Sequence, residues 1–175
     1  MRTKLTFFLA GVVLIPAVVF VAGWFGFLPT TVKQKAPTWE RAFARHALYA
    51  AAARRAPHLQ DPIAPTEANL ARGLKLFLGD CAGCHGRPSS PPSTNEALYP
   101  NPTRFLHAPS APDWQLYWII ENGVRYTGMF TWGGQFVDST GRDVSPERIW
   151  LAVTFLRHLD SLPPSVAAEW NKPRQ

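Results

Sequence analysis

Cysteine is nearly absent from this chain, with two residues in 175, Cys81 and Cys84. A structural zinc site takes four ligands, commonly two cysteine pairs or one pair with two spaced histidines. No second pair exists here, and His46, His58, His107 and His158 show no H-x3-5-H spacing. Methionine is as scarce, since beyond Met1 there is Met129 alone. Stretches that alternate β-branched and polar residues are almost missing, which argues against a sheet-based domain and against a thioredoxin-like setting for a C-x-x-C motif. There is no G-x-S-x-G nucleophile elbow, no phosphate-binding G-x-x-x-x-G-K-[ST] and no G-x-G-x-x-G. The carboxylates are few and scattered, and Asp138 and Asp143 read as loop and cap residues.

Both cysteines lie in Cys81-Ala82-Gly83-Cys84-His85. C-x-x-C-H is the pattern of covalent haem attachment. Two thiols three positions apart on one helical turn can each form a thioether to a haem vinyl carbon, and the next imidazole then lies under the iron. The expected cofactor is one haem c, held through Cys81 and Cys84, so the chemistry is that of an iron porphyrin that the polypeptide positions and tunes.

Residues 5–28 contain no charged side chain, and about 20 apolar residues suffice for a helix to span a bilayer core. The apolar region of a signal peptide is only about 7–15 residues. The expectation is an uncleaved transmembrane anchor over residues 1–30. Removal after the weak candidate Val21-Ala22-Gly23 is the competing reading. Arg2 and Lys4 favour a cytoplasmic N-terminus. Lys33 and Lys35 weaken that vote, but haem attachment is extracytoplasmic in bacteria, which places the haem domain in the periplasm at the cytoplasmic membrane. The formal charge is +6. Residues 1–62 hold 8 Lys and Arg against 2 acidic residues, whereas residues 63–175 hold 10 of each. The excess therefore sits beside the anchor, where it meets anionic lipid or an acidic partner surface rather than nucleic acid.

Residues 31–62 read as a linker and a juxtamembrane helix over 38–55, capped by Thr38. Its stripe of Trp39, Phe43, His46 and Ala50 either packs on the rest of the protein or docks a membrane partner. Pro57, Pro62 and Pro65 then break the chain. A domain over 63–163 carries three helices: 66–79 with Thr66 as cap, 112–123 ending at Gly123, and 146–161 with Ser145 as cap and Pro146 at its first position. A Pro-rich stretch, 87–112, separates the first two. Residues 164–175 read as a tail. The domain is all-α, and about 100 residues with three short helices bury little, so a large apolar cofactor at the centre would form much of the core.

A helix with Gly73 and Phe77, then CAGCHG, a Pro-rich loop, WIIENGVRYTGMFTWGG and a capped aromatic helix: this order over roughly residues 63–162 resembles a class I monohaem cytochrome c. The resemblance implies that the fold wraps one haem and that Gly73 meets Trp150 where the first and last helices cross. It implies His85 as the proximal iron ligand, its other ring nitrogen aimed at a proline carbonyl, that of Pro100 or Pro102. It implies Met129 as the distal ligand, although the family's Met-Pro is Met-Phe here, so proline no longer fixes the backbone. Arg125 is placed to pair with a haem propionate or to remain a solvated loop charge. Trp132, with Trp114, Trp118 and Trp150, would limit water at the iron. His107 and His158 suit surface or propionate contacts better than ligation. With both axial positions filled, the implied function is one-electron transfer at a moderately positive potential. The protein would be a respiratory carrier or a cytochrome subunit of a respiratory complex, with a quinol-oxidising complex, a dehydrogenase or a terminal oxidase as redox partners. The alternative is a haem gas sensor or small peroxidase in which the Met129 bond is labile.

Overall fold

Proline and glycine punctuate the helices. The computed structural model describes the backbone of residues 2–34, 36–92 and 97–173, and the side chains of the same ranges from residue 10 onward. It divides into two compact units, Met1–Gln34 and Lys35–Gln175.

The first unit is α1, Arg2–Trp24, with Pro16 inside it. It stops four residues before the end of the apolar run. Gly26 takes a left-handed φ of 76°, and the Phe27 N–H donates to the Ala22 carbonyl at 2.8 Å, so glycine closes the helix. Among the described residues no helix is long and apolar enough to cross a membrane. The side chains of residues 5–9 of the expected span lie outside the described ones.

The second unit holds α2 (Thr38–Arg55), α3 (Glu67–Leu76), a π-helical turn (Phe77–Cys81), α4 (Ala82–His85), α5 (Asp113–Asn122), α6 (Ser145–Arg157), a 3₁₀ turn (Leu159–Ser161) and α7 (Pro164–Trp170). Thr66 caps α3 as expected, its hydroxyl accepting the Asn69 N–H at 3.3 Å. Gly123, at φ 67°, ends α5. Two expected caps are corrected. Thr38 is the first helical residue of α2, preceded by Pro37 with no side-chain cap. Ser145 lies inside α6, and its N–H donates to the Asp143 carboxylate at 2.8 Å, so the acidic residue two positions earlier does the capping work. Ser145 is instead buried as an acceptor for the Phe136 N–H.

α3 crosses α6, α5 packs on the same helix, α2 packs on α5, and α7 closes over α3. The crossing corrects the expected Gly73–Trp150 contact. A Cβ at Gly73 would lie 2.4 Å from the Leu151 carbonyl oxygen and 2.8 Å from Phe155 Cβ. Trp150, adjacent to Leu151, points elsewhere and stacks on Tyr117 with ring centroids 4.4 Å apart. The expected C-terminal tail is also corrected: α7 drives Val166 and Trp170 into the core, and Trp170 meets Phe77 and Phe155 edge-on at 5.4 Å. These aromatic contacts form the floor behind the pentapeptide.

Candidate haem site

The pentapeptide sits where the helix changes pitch. α3 widens into the π-helical turn Phe77–Cys81, then tightens into α4, and Gly86 at φ 69° ends it. Such widened turns occur often at functional sites. Both thiols are free and half-buried. Burial, helped by Asp80 and Cys84 and opposed by Arg148, pushes the Cys81 thiol up to about 12. Among the described residues no group of three or more His, Cys, Asp or Glu could hold a metal ion.

His85 Nδ1 lies 2.7 Å from the Thr103 carbonyl oxygen. A carbonyl only accepts, so Nδ1 carries the proton and Nε2 keeps its lone pair. Burial lowers the His85 pKa, against the pull of the Thr103 bond. The imidazole is therefore held neutral, with its orientation fixed. The carbonyl corrects the expectation of Pro100 or Pro102: it belongs to the residue after Pro102. Pro102 stiffens the chain just upstream, so that it presents its neighbour's carbonyl rather than its own. Pro100 is exposed and Pro102 half-buried. Phe105 and Phe77 flank the imidazole, with ring centroids 5.1 and 6.5 Å away.

Met129 is half-buried in the loop after α5. The Val124 N–H donates to the Met129 carbonyl at 2.9 Å. The Met129 N–H donates to Thr127 Oγ1 at 3.0 Å, and that hydroxyl donates to the Val124 carbonyl at 2.8 Å. Gly128 lies against Leu98: a Cβ there would be 2.8 Å from Leu98 Cδ2, the movable end of that side chain. The loop then returns to α5. The Glu121 carbonyl, near the end of that helix and without an intrahelical donor, accepts from the Trp132 N–H, the Gly133 N–H and Thr131 Oγ1 at 3.2, 2.9 and 2.6 Å. Trp132 is buried, with its ring against Phe130 and Phe136. Arg125 is exposed.

The other histidines are otherwise engaged. His107 Nδ1 is 3.0 Å from the Asp160 carboxylate, His158 Nδ1 is 2.8 Å from the Thr154 carbonyl, and His58 stacks on Trp114. His46 is exposed. A cleft of about 90 Å³ beside the pentapeptide is lined by Leu78, Ala82, Arg87, Ser90 and Pro91. A larger one, about 630 Å³, runs between α3 and α7 and contains no cysteine, histidine or methionine.

The family described as cytochrome c oxidase, cbb3-type, subunit III matches residues 68–156, just over half of the chain. The chain belongs to this family. It is a monohaem class I cytochrome c, and the matched span runs from the start of α3 to the end of α6. No curated protein and no solved structure matches it. α2 and α7 lie outside the span, although both are built into the unit that holds it.

Sequence reading of this cytochrome c missed Thr103, Phe105 and Thr127. Thr127 had a signal: a threonine two residues before Met129 can form a local side-chain turn with the backbone. Thr103 contributes a main-chain carbonyl, which no side chain advertises. The donor set fits haem c: two free thiols three positions apart, an imidazole with Nε2 free, and a thioether on a braced loop. Cys81, Cys84 and His85 would hold the group.

Proposed function

We propose that this cytochrome c is a one-electron transfer protein with His85 and Met129 as axial ligands, tethered at the extracytoplasmic face of a bacterial cytoplasmic membrane and serving a terminal oxidase or a related respiratory complex. Haem c supplies a one-electron Fe(III)/Fe(II) couple. The chain's residues do the rest. The Thr103 carbonyl fixes the imidazole tautomer and its plane. The bonds from Val124 and Thr127 hold the Met129 backbone from both its carbonyl and its N–H. A carrier benefits from a shell that changes little between charge states, and this loop cannot drift without breaking bonds on either side of the ligand. Arg125, exposed beside the loop, would take a propionate charge.

The carrying observation is the double brace on Met129. It argues for a closed coordination sphere, and so against gas sensing or peroxidase chemistry, both of which need an open iron position. The tether rests on the uncharged run 5–28 with Arg2 and Lys4 before it. Val13, Phe20 and Trp24 leave more than half of their area exposed along α1. Family membership supports the oxidase as partner.

The test is optical. The oxidised, purified holoprotein should show the far-red absorption of an Fe–S bond, Met129→Ala should abolish it, and the reduced native protein should not bind carbon monoxide. Far-red absorption that is absent from the native protein, or that survives Met129→Ala, would overturn the ligand assignment. Fast carbon monoxide binding by the native protein would favour the sensor.

A further inference from the structure

The family's span begins at residue 68, yet α2, which precedes it, is fastened to the domain. Tyr49 lies against the core and Ala52 is fully buried where α2 packs on α5. The stripe of Trp39, Phe43, His46 and Ala50 is exposed instead. A further attachment is polar: the Tyr99 hydroxyl donates to Glu40 Oε1 at 2.7 Å, across 59 residues of chain. A first-turn carboxylate is stabilised by the helix dipole wherever its side chain points, so the dipole does not explain why this one meets Tyr99. The bond raises the Tyr99 pKa, with Arg41 pulling the other way, so the phenol keeps its proton and remains the donor.

Tyr99 lies in a segment that reaches both His85 and the Met129 loop. One residue earlier, Leu98 lies against Gly128, which immediately precedes Met129. Four residues later, the Thr103 carbonyl accepts from His85 Nδ1 at 2.7 Å. Residues 97–105 belong to no helix or strand, so contacts from side chains bear more of the work of holding them than any ladder of main-chain bonds. Pro100 and Pro102 each fix φ within the segment, so a displacement of Tyr99 is passed along it rather than absorbed.

We propose that Glu40 and Tyr99 are positioning residues for the haem site: their hydrogen bond ties segment 98–103 to α2, and the segment steadies the Met129 loop through Leu98 and the His85 imidazole through Thr103. This rests on the axial-ligand reading above and extends it to a helix outside the family's span. A phenol donating to a carboxylate makes a charge-assisted bond, stronger than a neutral one. Its loss frees the segment from α2 without removing any side chain from the site itself.

The test is hydrogen exchange by mass spectrometry on the full-length holoprotein in detergent, read over the Met129 loop and over segment 97–105, with α6 as the reference for global opening. Tyr99→Phe keeps the ring and removes only the hydroxyl, and it should speed exchange in both regions several-fold while α6 is unchanged. Glu40→Ala should do the same, and the double substitution should add nothing further. Glu40→Gln keeps an accepting oxygen and should restore part of the protection. Ser165→Ala, which removes the hydroxyl bonded to Glu67, should leave both regions as they are. In the ferric holoprotein, imidazole should displace Met129 at several-fold lower concentration in Tyr99→Phe, read by loss of the far-red absorption. Loop exchange or an imidazole midpoint unchanged in Tyr99→Phe overturns the proposal, as do fully additive effects of the two single substitutions. Equal acceleration in α6 overturns it too, since that reports general loosening. Far-red absorption missing from the native protein removes the axial role of Met129 instead, and the exchange rates then decide on their own whether Glu40 and Tyr99 hold the segment.

Discussion

Gly123 carries two constraints at one Cα. Its φ of 67° is left-handed, and a Cβ there would lie 2.7 Å from the Met129 carbonyl oxygen and 2.8 Å from the Thr131 nitrogen. Both neighbours are backbone, so no rotamer change relieves the clash. Gly123→Ala should therefore destabilise the protein by more than about 1 kcal/mol, the scale of the left-handed penalty alone, and push the Met129 loop outward. The measurable outcome is a lower midpoint in denaturant together with weakened far-red absorption, the second of which a purely structural loss elsewhere would not produce. At this scale the sequence is informative where chemistry lives in side-chain type and spacing, as in the pentapeptide that carries Cys81 and Cys84. It is silent where chemistry lives in the main chain. Thr103 serves through its carbonyl, so valine or serine at that position would serve as well, and nothing in the residue's identity marks it.

Among the elements, the α3–α6 crossing depends most on a single residue. Gly73 lets the Leu151 carbonyl approach to 2.4 Å of where a Cβ would be. Alanine gains about 1 kcal/mol of helix propensity over glycine, and overpacking a core costs about 1–3 kcal/mol. The second effect should win, because the obstacle is backbone of the opposing helix, and Gly73→Ala should lower stability by about 2 kcal/mol in urea unfolding. Stabilisation instead would mean that the helices cross farther apart. Trp170→Ala should cost about 3–5 kcal/mol, as for other buried tryptophans, read as a fall in the thermal midpoint of the holoprotein. The three central helices were legible because each shows a long apolar period and an end signal. α7 was not, because seven residues expose only one i, i+4 pair, Val166 and Trp170, and a period needs more than two turns to be seen. The partner of Gly73 was misassigned by one position for a related reason. Spacing tells which residues share a face of α6, but the crossing angle decides which of them lies over the glycine.

Across the whole molecule, the segment that leads from α2 into the haem domain is pinned by one carboxyl. Asp61 Oδ1 accepts the Ile63 N–H at 2.8 Å, while Oδ2 lies 2.7 Å from Thr154 Oγ1 on α6. That hydroxyl is also 2.8 Å from the Trp150 carbonyl, which can only accept. One hydroxyl proton cannot serve both oxygens, so the two contacts are both hydrogen bonds when Asp61 is protonated and donates to Thr154. Burial raises the Asp61 pKa above its ordinary value, helped by Asp113 and opposed by Thr154, Ile63 and His158. A carboxyl whose folded pKa is raised contributes stability that is complete below its unfolded value and is lost as pH rises through the folded one. Asp138, Asp143 and Asp160 are shifted the other way, chiefly by hydrogen bonds, and lose their contributions as pH falls. The decline above the ordinary aspartate range, about pH 4, therefore belongs to Asp61. Asparagine can donate to Thr154 and accept from Ile63 without ionising. Asp61→Asn should flatten the fall in thermal midpoint from about pH 4 to 7 and match or exceed the native protein at neutral pH, while leaving the acid limb below about pH 4 unchanged. An unaltered slope in that window would show that the pin between linker and α6 does not depend on the proton.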